Sequence, residues 1–136
     1  MTLTDTGPLV ALINRNDPHH LKCIEAIKCL PSGPLLTTWP CFTEAMYLLH
    51  RAGGYPAQAV LWLMRKNRRL LIHHASDVEE ESMTTLMAKY QDLPMDFADA
   101  TLVTAADSIT TRRIFTLDKD FHIYRLANGE AFEVIP

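Results

Sequence analysis

The chain has 136 residues, of which 48% are apolar and 21% charged, with a formal net charge of −3; that suits one domain over 1–136 with a core needing no disulfide staples. Cys23, Cys29 and Cys41 are an odd number without C-x-x-C spacing, which argues against a zinc site and for a reducing, cytoplasmic setting. No apolar run reaches membrane-spanning length, no secretory leader shows at the N-terminus, and the mildly acidic balance leaves any nucleic-acid contact to local patches.

The elements alternate between short strands and helices, the pattern of a mainly parallel α/β sheet. A strand is expected at about 2–5, followed by Gly7-Pro8, where proline suits a first helical turn, and a short buried helix over Leu9–Ile13. Asp17 followed by Pro18 predicts an N-cap for a second helix running to about Leu30, broken by Pro31-Ser32-Gly33-Pro34. Leu35–Thr38 reads as a strand and 40–52 as a helix stopped by Gly53-Gly54. A further helix from about Pro56 to Lys66 follows, then a short strand at Leu70–Ile72. Ser76 with Glu79 has the spacing of a capping box, opening a helix to about Gln91. A helix over 97–108 and strands at 113–117 and 132–135 complete the chain.

This order gives four acids a common address. Ligands of open α/β sheets bind beyond the carboxyl ends of the strands. Asp5 and Asp118 follow strands, and Glu44 lies in the first turns of a helix entered from a strand. Asp99 opens a helix that precedes a strand and should run antiparallel to it, so it reaches the same edge. Taken singly, Asp5 suits a turn, Glu44 a first-turn acid facing the helix dipole, and Asp118 a solvated turn beside Lys119 and Asp120. Asp99 shares the apolar stripe of Leu102, Val103 and Ala106, and an inward carboxylate needs a partner. Gathered carboxylates repel one another unless a cation neutralises them, and hard divalent ions prefer such oxygen ligands. The set therefore points to metal-assisted phosphate chemistry. Asp96 reads mainly as the N-cap of the helix that carries Asp99.

Other signals are weaker. The pairs His19-His20 and His73-His74 read as surface or loop residues, and no G-x-S-x-G, Walker A or G-x-G-x-x-G motif is present. Arg65, Lys66, Arg68 and Arg69 form the densest basic run, which fits a solvated cationic helix end and phosphate contact equally well. Arg112 and Arg113 form a second cluster. An acidic site repels a phosphate-bearing substrate, so one of these clusters is expected to supply a cationic rim.

With the acids placed, the chain resembles the PIN domains, specifically the VapC toxins of bacterial toxin–antitoxin pairs. The resemblance rests on Thr4-Asp5-Thr6-Gly7-Pro8-Leu9, on Phe42-Thr43-Glu44-Ala45, on the run from Met95 to Val103, and on Ile114-Phe115-Thr116-Leu117-Asp118-Lys119-Asp120-Phe121. It implies a three-layer α/β/α fold with a five-stranded sheet and an endoribonuclease dependent on Mg²⁺ or Mn²⁺, leaving 3′-hydroxyl and 5′-phosphate ends. It implies Asp5 and Asp99 as metal ligands, Glu44 and Asp118 as companion acids, and Thr116 as a supporting residue; Asp96 is an extra acid that the family does not require. It also implies a small VapB-like antitoxin as partner, RNA as substrate, and a homodimer. The antitoxin would insert a basic side chain among the acids, with Leu48, Leu49, Leu61, Trp62 and Leu63 as surface for the rest of the contact, although a core role suits most of these five. Gly7 departs from the Ser or Thr that many relatives carry there. The alternatives are a non-toxin PIN nuclease, a phosphatase using an aspartate nucleophile, against which Gly7 stands where such a D-x-D motif has its second acid, and a non-catalytic binding module.

Overall fold

A computed structural model describes residues 1–136. Strands β1 (Thr2–Thr4), β2 (Leu35–Thr38), β3 (Leu70–His73), β4 (Arg113–Phe115) and β5 (Glu133–Ile135) form one sheet in the order β3-β2-β1-β4-β5. Every pairing is parallel. Helices α1 (Thr6–Ile13), α2 (His20–Cys29), α3 (Trp39–Lys66), α4 (Asp77–Lys89) and α5 (Phe97–Ile109) connect the strands, and a 3₁₀ turn covers Lys119–His122.

Side chains along a strand alternate between its two faces, and here that alternation builds two cores. Leu3, Leu36 and Ile114 point to one face and pack with Ala100, Leu102, Val103 and Ala106 of α5 and Met83 of α4. Leu35, Leu70, Ile72 and Phe115 point to the other and pack with Leu9 and Val10 of α1, Cys23 of α2, and Phe42, Leu49 and Leu61 of α3. The result is the three-layer α/β/α arrangement, with a sheet buried on both faces as parallel sheets require.

Local chemistry explains most boundaries. Asp5 caps α1 by accepting from the Thr6 amide at 2.7 Å. Ser76 and Glu79 form the reciprocal capping box of α4, and Asp96 caps α5 through the Asp99 amide at 2.8 Å. The helices read on either side of Gly53-Gly54 do form, as two limbs of α3 bent at Gly54, whose φ of 68° and ψ of −159° suit glycine alone. Three boundaries differ: α1 begins at Thr6 rather than Leu9, because Asp5 caps it, β4 stops at Phe115 rather than at 117, and α2 begins at His20, not at Pro18. Asp17 instead accepts from the His19 amide at 2.8 Å, so the Asp-Pro signal closes a turn ahead of the helix. No helix is long and apolar enough to cross a membrane, and all three cysteines are free thiols.

The strand order has one functional consequence. The chain leaves β1 for β2 and β3 on one side and later returns to place β4 and β5 on the other. The reversal falls between β1 and β4, and ligands of open α/β sheets bind at such a switch point.

Candidate functional site

The ladder between β1 and β4 pairs Thr4 with Phe115, and the Asp5 amide adds one more bond, to the Phe115 carbonyl at 2.9 Å. Asp5 and Thr116 therefore leave the sheet side by side at the switch point. A cavity of about 280 Å³ opens there, lined by Asp5, Glu44, Asp96, Asp99 and Asp118 together with Thr6, Gly7, Leu48 and Leu117. All four acids read as converging from the sequence thus meet, with Asp96 as a fifth, and no Lys, Arg or His lines the cavity.

Each acid is held differently. The Thr116 hydroxyl donates to Asp5 Oδ2 at 2.7 Å, and the same hydroxyl accepts from the Asp118 amide at 3.0 Å. Thr116 therefore links the two strand-end acids. Asp118 in turn accepts from the Asp120 amide at 2.9 Å, which opens the 3₁₀ turn. Asp99 is only 6% exposed and its Oδ2 accepts from the Tyr124 hydroxyl at 3.0 Å. Glu44 is exposed and is steadied by the Thr6 hydroxyl at 3.2 Å. Tyr124, fully buried against Tyr90 and Phe121, is a site residue that the sequence did not indicate. Thr6 lies inside the first motif, but nothing in the sequence linked its hydroxyl to Glu44.

The electrostatics follow from this crowding. Burial pushes the Asp5 carboxyl up to about 6, with Asp118 and Glu44 adding repulsion and the bonds from Thr116 and Thr6 opposing it. Burial pushes Asp99 up to about 7, reinforced by Asp96, Asp5 and Asp118 and opposed by Tyr124. The Tyr124 hydroxyl is raised by its burial and by Asp99, so it stays a donor. Cys41, 3.8 Å from Asp5 Oδ1, is pushed up to about 12 by burial and by Asp5, and is a neutral thiol rather than a nucleophile.

Gly7 also acquires a local reason. A Cβ at this position would lie 3.3 Å from Leu117 Cδ1, so Leu117 occupies the wall space that a larger residue at position 7 would need.

The donor set fits a hard divalent cation: all oxygen, strongly anionic and without a basic counter-charge. No group of three or more His, Cys, Asp or Glu side chains is drawn close enough to enclose an ion alone. Two carboxylates plus water is the pattern Mg²⁺ favours, since it dehydrates reluctantly. Asp5 and Asp99, whose ionised forms burial disfavours most, are the residues that could hold it.

The basic clusters are not at this edge. Arg69 precedes β3 and its carbonyl accepts from the Leu35 amide at the start of β2. Arg112 and Arg113 sit at the start of β4, paired with Glu130 at 3.1 Å and Glu133 at 3.3 Å. In a parallel sheet these positions mark the amino edge, opposite the acids. Lys66, Arg68, Arg69, Arg112 and Arg113 therefore do not form a rim around the acid cavity. Charge density along the sequence carries no information about which sheet edge it occupies. Arg65 differs: it bonds the Leu70 carbonyl at 3.1 Å and lies over the Trp39 ring, 5.9 Å from its centre.

No family model matches the chain. Over 135 residues it is 28% identical to Ribonuclease VapC26 of Mycobacterium tuberculosis, covering 98% of this chain and 99% of that protein. The crystal structure of Mycobacterium tuberculosis VapC20, described as a sarcin–ricin loop cleaving toxin, matches with a TM-score of 0.83 and 20% identity over 100% of both chains. A toxin–antitoxin complex from Klebsiella pneumoniae matches with a TM-score of 0.69 and 18% identity, covering 89% of this chain and 90% of that one. The architecture is thus the PIN-type α/β fold. The chain is similar in sequence to Ribonuclease VapC26 along 98% of its length and shares the fold of the VapC20 structure.

Proposed function

We propose that this chain is an endoribonuclease dependent on Mg²⁺ or Mn²⁺, and the toxin half of a toxin–antitoxin pair. The observation that carries the reading is the cavity at the β1–β4 switch point, lined by five carboxylates and no basic side chain. Such a set carries mutual repulsion at neutral pH that a bound cation would relieve. The similarity to Ribonuclease VapC26 supports RNA as the substrate.

Asp5, fixed by Thr116 and Thr6, and Asp99, fixed by Tyr124, are the ligands in this reading. Together they would hold a divalent ion, which would supply positive charge to the phosphoryl oxygens and lower the pKa of water toward neutrality. Glu44 and Asp118 line the same cavity, and in this reading either would orient the attacking water and accept its proton. In-line attack on phosphorus forms the new P–O bond as the bond to the ribose 3′-oxygen breaks. That oxygen takes up a proton, leaving 3′-hydroxyl and 5′-phosphate ends.

A small antitoxin is the natural partner, in line with the toxin–antitoxin complex among the structural matches. Leu49 and Leu61 are core residues, whereas Leu48, Trp62 and Leu63 of α3 are exposed at 36%, 49% and 53% and leave an apolar surface for a partner or a second copy of the chain. A basic antitoxin side chain reaching into the acid cavity would replace the cation's charge and silence the site.

The test is RNA cleavage by the purified chain with Mg²⁺ or Mn²⁺, with chelator, and with the Asp5→Asn and Asp99→Asn variants, mapping the new ends. Cleavage that needs both metal and both aspartates supports the reading. Full activity in chelator, or in either folded variant, overturns it.

A further inference from the structure

A second concavity lies at the same edge of the sheet. It opens beyond the ends of β2 and β3, has a volume of about 120 Å³, and is lined by Trp39, Phe97, Thr38, Thr101, His73 and Glu80 among others. That is less than the cavity of about 150 Å³ that encloses benzene, so an aromatic ring would rest across the mouth against Trp39 or Phe97 rather than be enclosed. Trp39 and Phe97 remain 41% and 54% exposed, although both are large and apolar.

The two concavities share their walls. Trp39 and Pro40 of α3 line the aromatic one while Glu44 and Leu48 of the same helix line the acid one. Phe97 and Thr101 of α5 line the aromatic one while Asp96 and Asp99 line the acid one. The first turn of α5 is thus a rib between them, and a helix with its side chains is about 10–12 Å across. A strand whose phosphate sits among the acids passes over this rib within the reach of a neighbouring nucleotide.

The lining also selects the kind of group. The Thr38 and Thr101 hydroxyls are 2.8 Å apart and fix the floor. Trp39 is held edge-on to Phe42 at 5.3 Å and carries the Arg65 guanidinium over its ring. Glu80 disfavours a phosphate inside the pocket, and its carboxylate would accept from the N–H edge of a base; His73, on the same wall, has its Nε2 engaged by Glu79 at 2.9 Å. Aromatic faces with a few polar groups and an excluded anion describe a nucleobase site rather than a backbone site.

We infer that the Trp39–Phe97 pocket is a nucleobase subsite that takes an unpaired base next to the scissile phosphate of a single-stranded RNA segment. This rests on the ribonuclease reading above. It assigns Trp39 and Phe97 to substrate positioning and Arg65 to holding Trp39.

The test uses the full chain and a short mixed-sequence single-stranded RNA whose cut positions have been mapped. The same RNA is then made with an abasic residue placed in turn at each position flanking the cut. Phe97→Ala should raise KM about tenfold with kcat little changed, the size expected for one lost base–aromatic stack. Phe97→Tyr should restore KM. In the wild type, an abasic residue at one flanking position should raise KM by a similar factor, and Phe97→Ala should show no further rise with that RNA. An unchanged KM in both Phe97→Ala and Trp39→Leu, or an abasic penalty that persists undiminished in Phe97→Ala, overturns the subsite while leaving the ribonuclease standing. If Phe97→Ala weakens only binding of a co-expressed antitoxin, the pocket is a protein contact and the proposal falls. A wild type that cleaves no RNA overturns the ribonuclease reading itself, and the subsite with it.

Discussion

Removing one negative charge from the acid cavity should stabilise the metal-free protein. Asp99 is the informative position because it is 6% exposed and its carboxyl is pushed up to about 7 by burial, Asp96, Asp5 and Asp118. Its folded-state pKa lies above the unfolded value, so the folded chain holds this proton more tightly than the unfolded chain does. The stabilisation is therefore complete below the unfolded pKa near 3.8 and is lost as pH rises through about 7. Each pKa unit corresponds to about 1.4 kcal/mol, which sets an upper bound of roughly 4 kcal/mol. Asp99 shares its repulsion with Asp5 and Asp96, so a gain of about 1–3 kcal/mol for Asp99→Asn near pH 8 is the reasonable expectation. Asparagine keeps a carbonyl oxygen to accept from Tyr124, so that hydrogen bond survives. For a chain of this size the gain is a rise in Tm of roughly 3–15 °C. The assay is thermal unfolding in chelator from about pH 5 to pH 8, the window in which the raised carboxyls titrate. Wild type should lose stability across that window, Asp99→Asn should lose less, and the two curves should approach each other at the acid end. Added Mg²⁺ or Mn²⁺ should then stabilise the wild type and not the variant. A wild-type curve that is flat or rises with pH in chelator would refute the reasoning.

The remaining expectations are briefer. Thr116→Val and Tyr124→Phe each remove a hydroxyl donor from an ionised carboxylate, worth about 1.5–3 kcal/mol, so each should move the acid limb of the pH–rate profile upward by roughly one to two units; an unmoved limb in both would show that these contacts do not tune the site. Neutralising Arg112 and Arg113 together should change stability by no more than about 1 kcal/mol, because their ion pairs are at the surface, and should leave kcat intact, because they lie at the amino edge of the sheet; a large loss of kcat would require RNA to wrap from one edge to the other. Co-expression with the small neighbouring open reading frame should give a co-purifying complex, and Trp62→Glu with Leu63→Glu should weaken it or the dimer; a monomer with no partner on gel filtration counts against the toxin–antitoxin reading alone.

What could be read from the sequence was mostly what depends on chain order. Asp5 and Asp118 follow short strands, and a parallel sheet sends every strand's end to one edge, so their meeting needed no knowledge of side-chain contacts. Asp99 was legible because a carboxylate on the stripe of Leu102, Val103 and Ala106 must point inward. The Ser76–Glu79 box fixed the start of α4, and Gly53-Gly54 marked the bend in α3. Contacts between distant segments were not legible. Tyr124 lies in an irregular stretch with no periodicity, and its hydroxyl reaches Asp99 only because the chain after β4 folds back under α5. The position of the basic clusters was not legible for the converse reason: their charge is visible along the chain, but the edge they occupy is set by where the strands begin. Asp17-Pro18 carries a true helix-start signature that a turn used instead, since capping and turn chemistry employ the same residues.

The most direct measurement is cation binding by the purified chain, followed by titration calorimetry with Mn²⁺ for the wild type, Asp5→Asn and Asp99→Asn, alongside RNA cleavage in the same buffers. The account predicts Mn²⁺ binding by the wild type that strengthens as pH rises through the range where Asp5 and Asp99 lose their protons, and weak or absent binding by both variants. Cleavage should appear only in the samples that bind. RNA cleavage at full rate by a variant that binds no Mn²⁺ would contradict it.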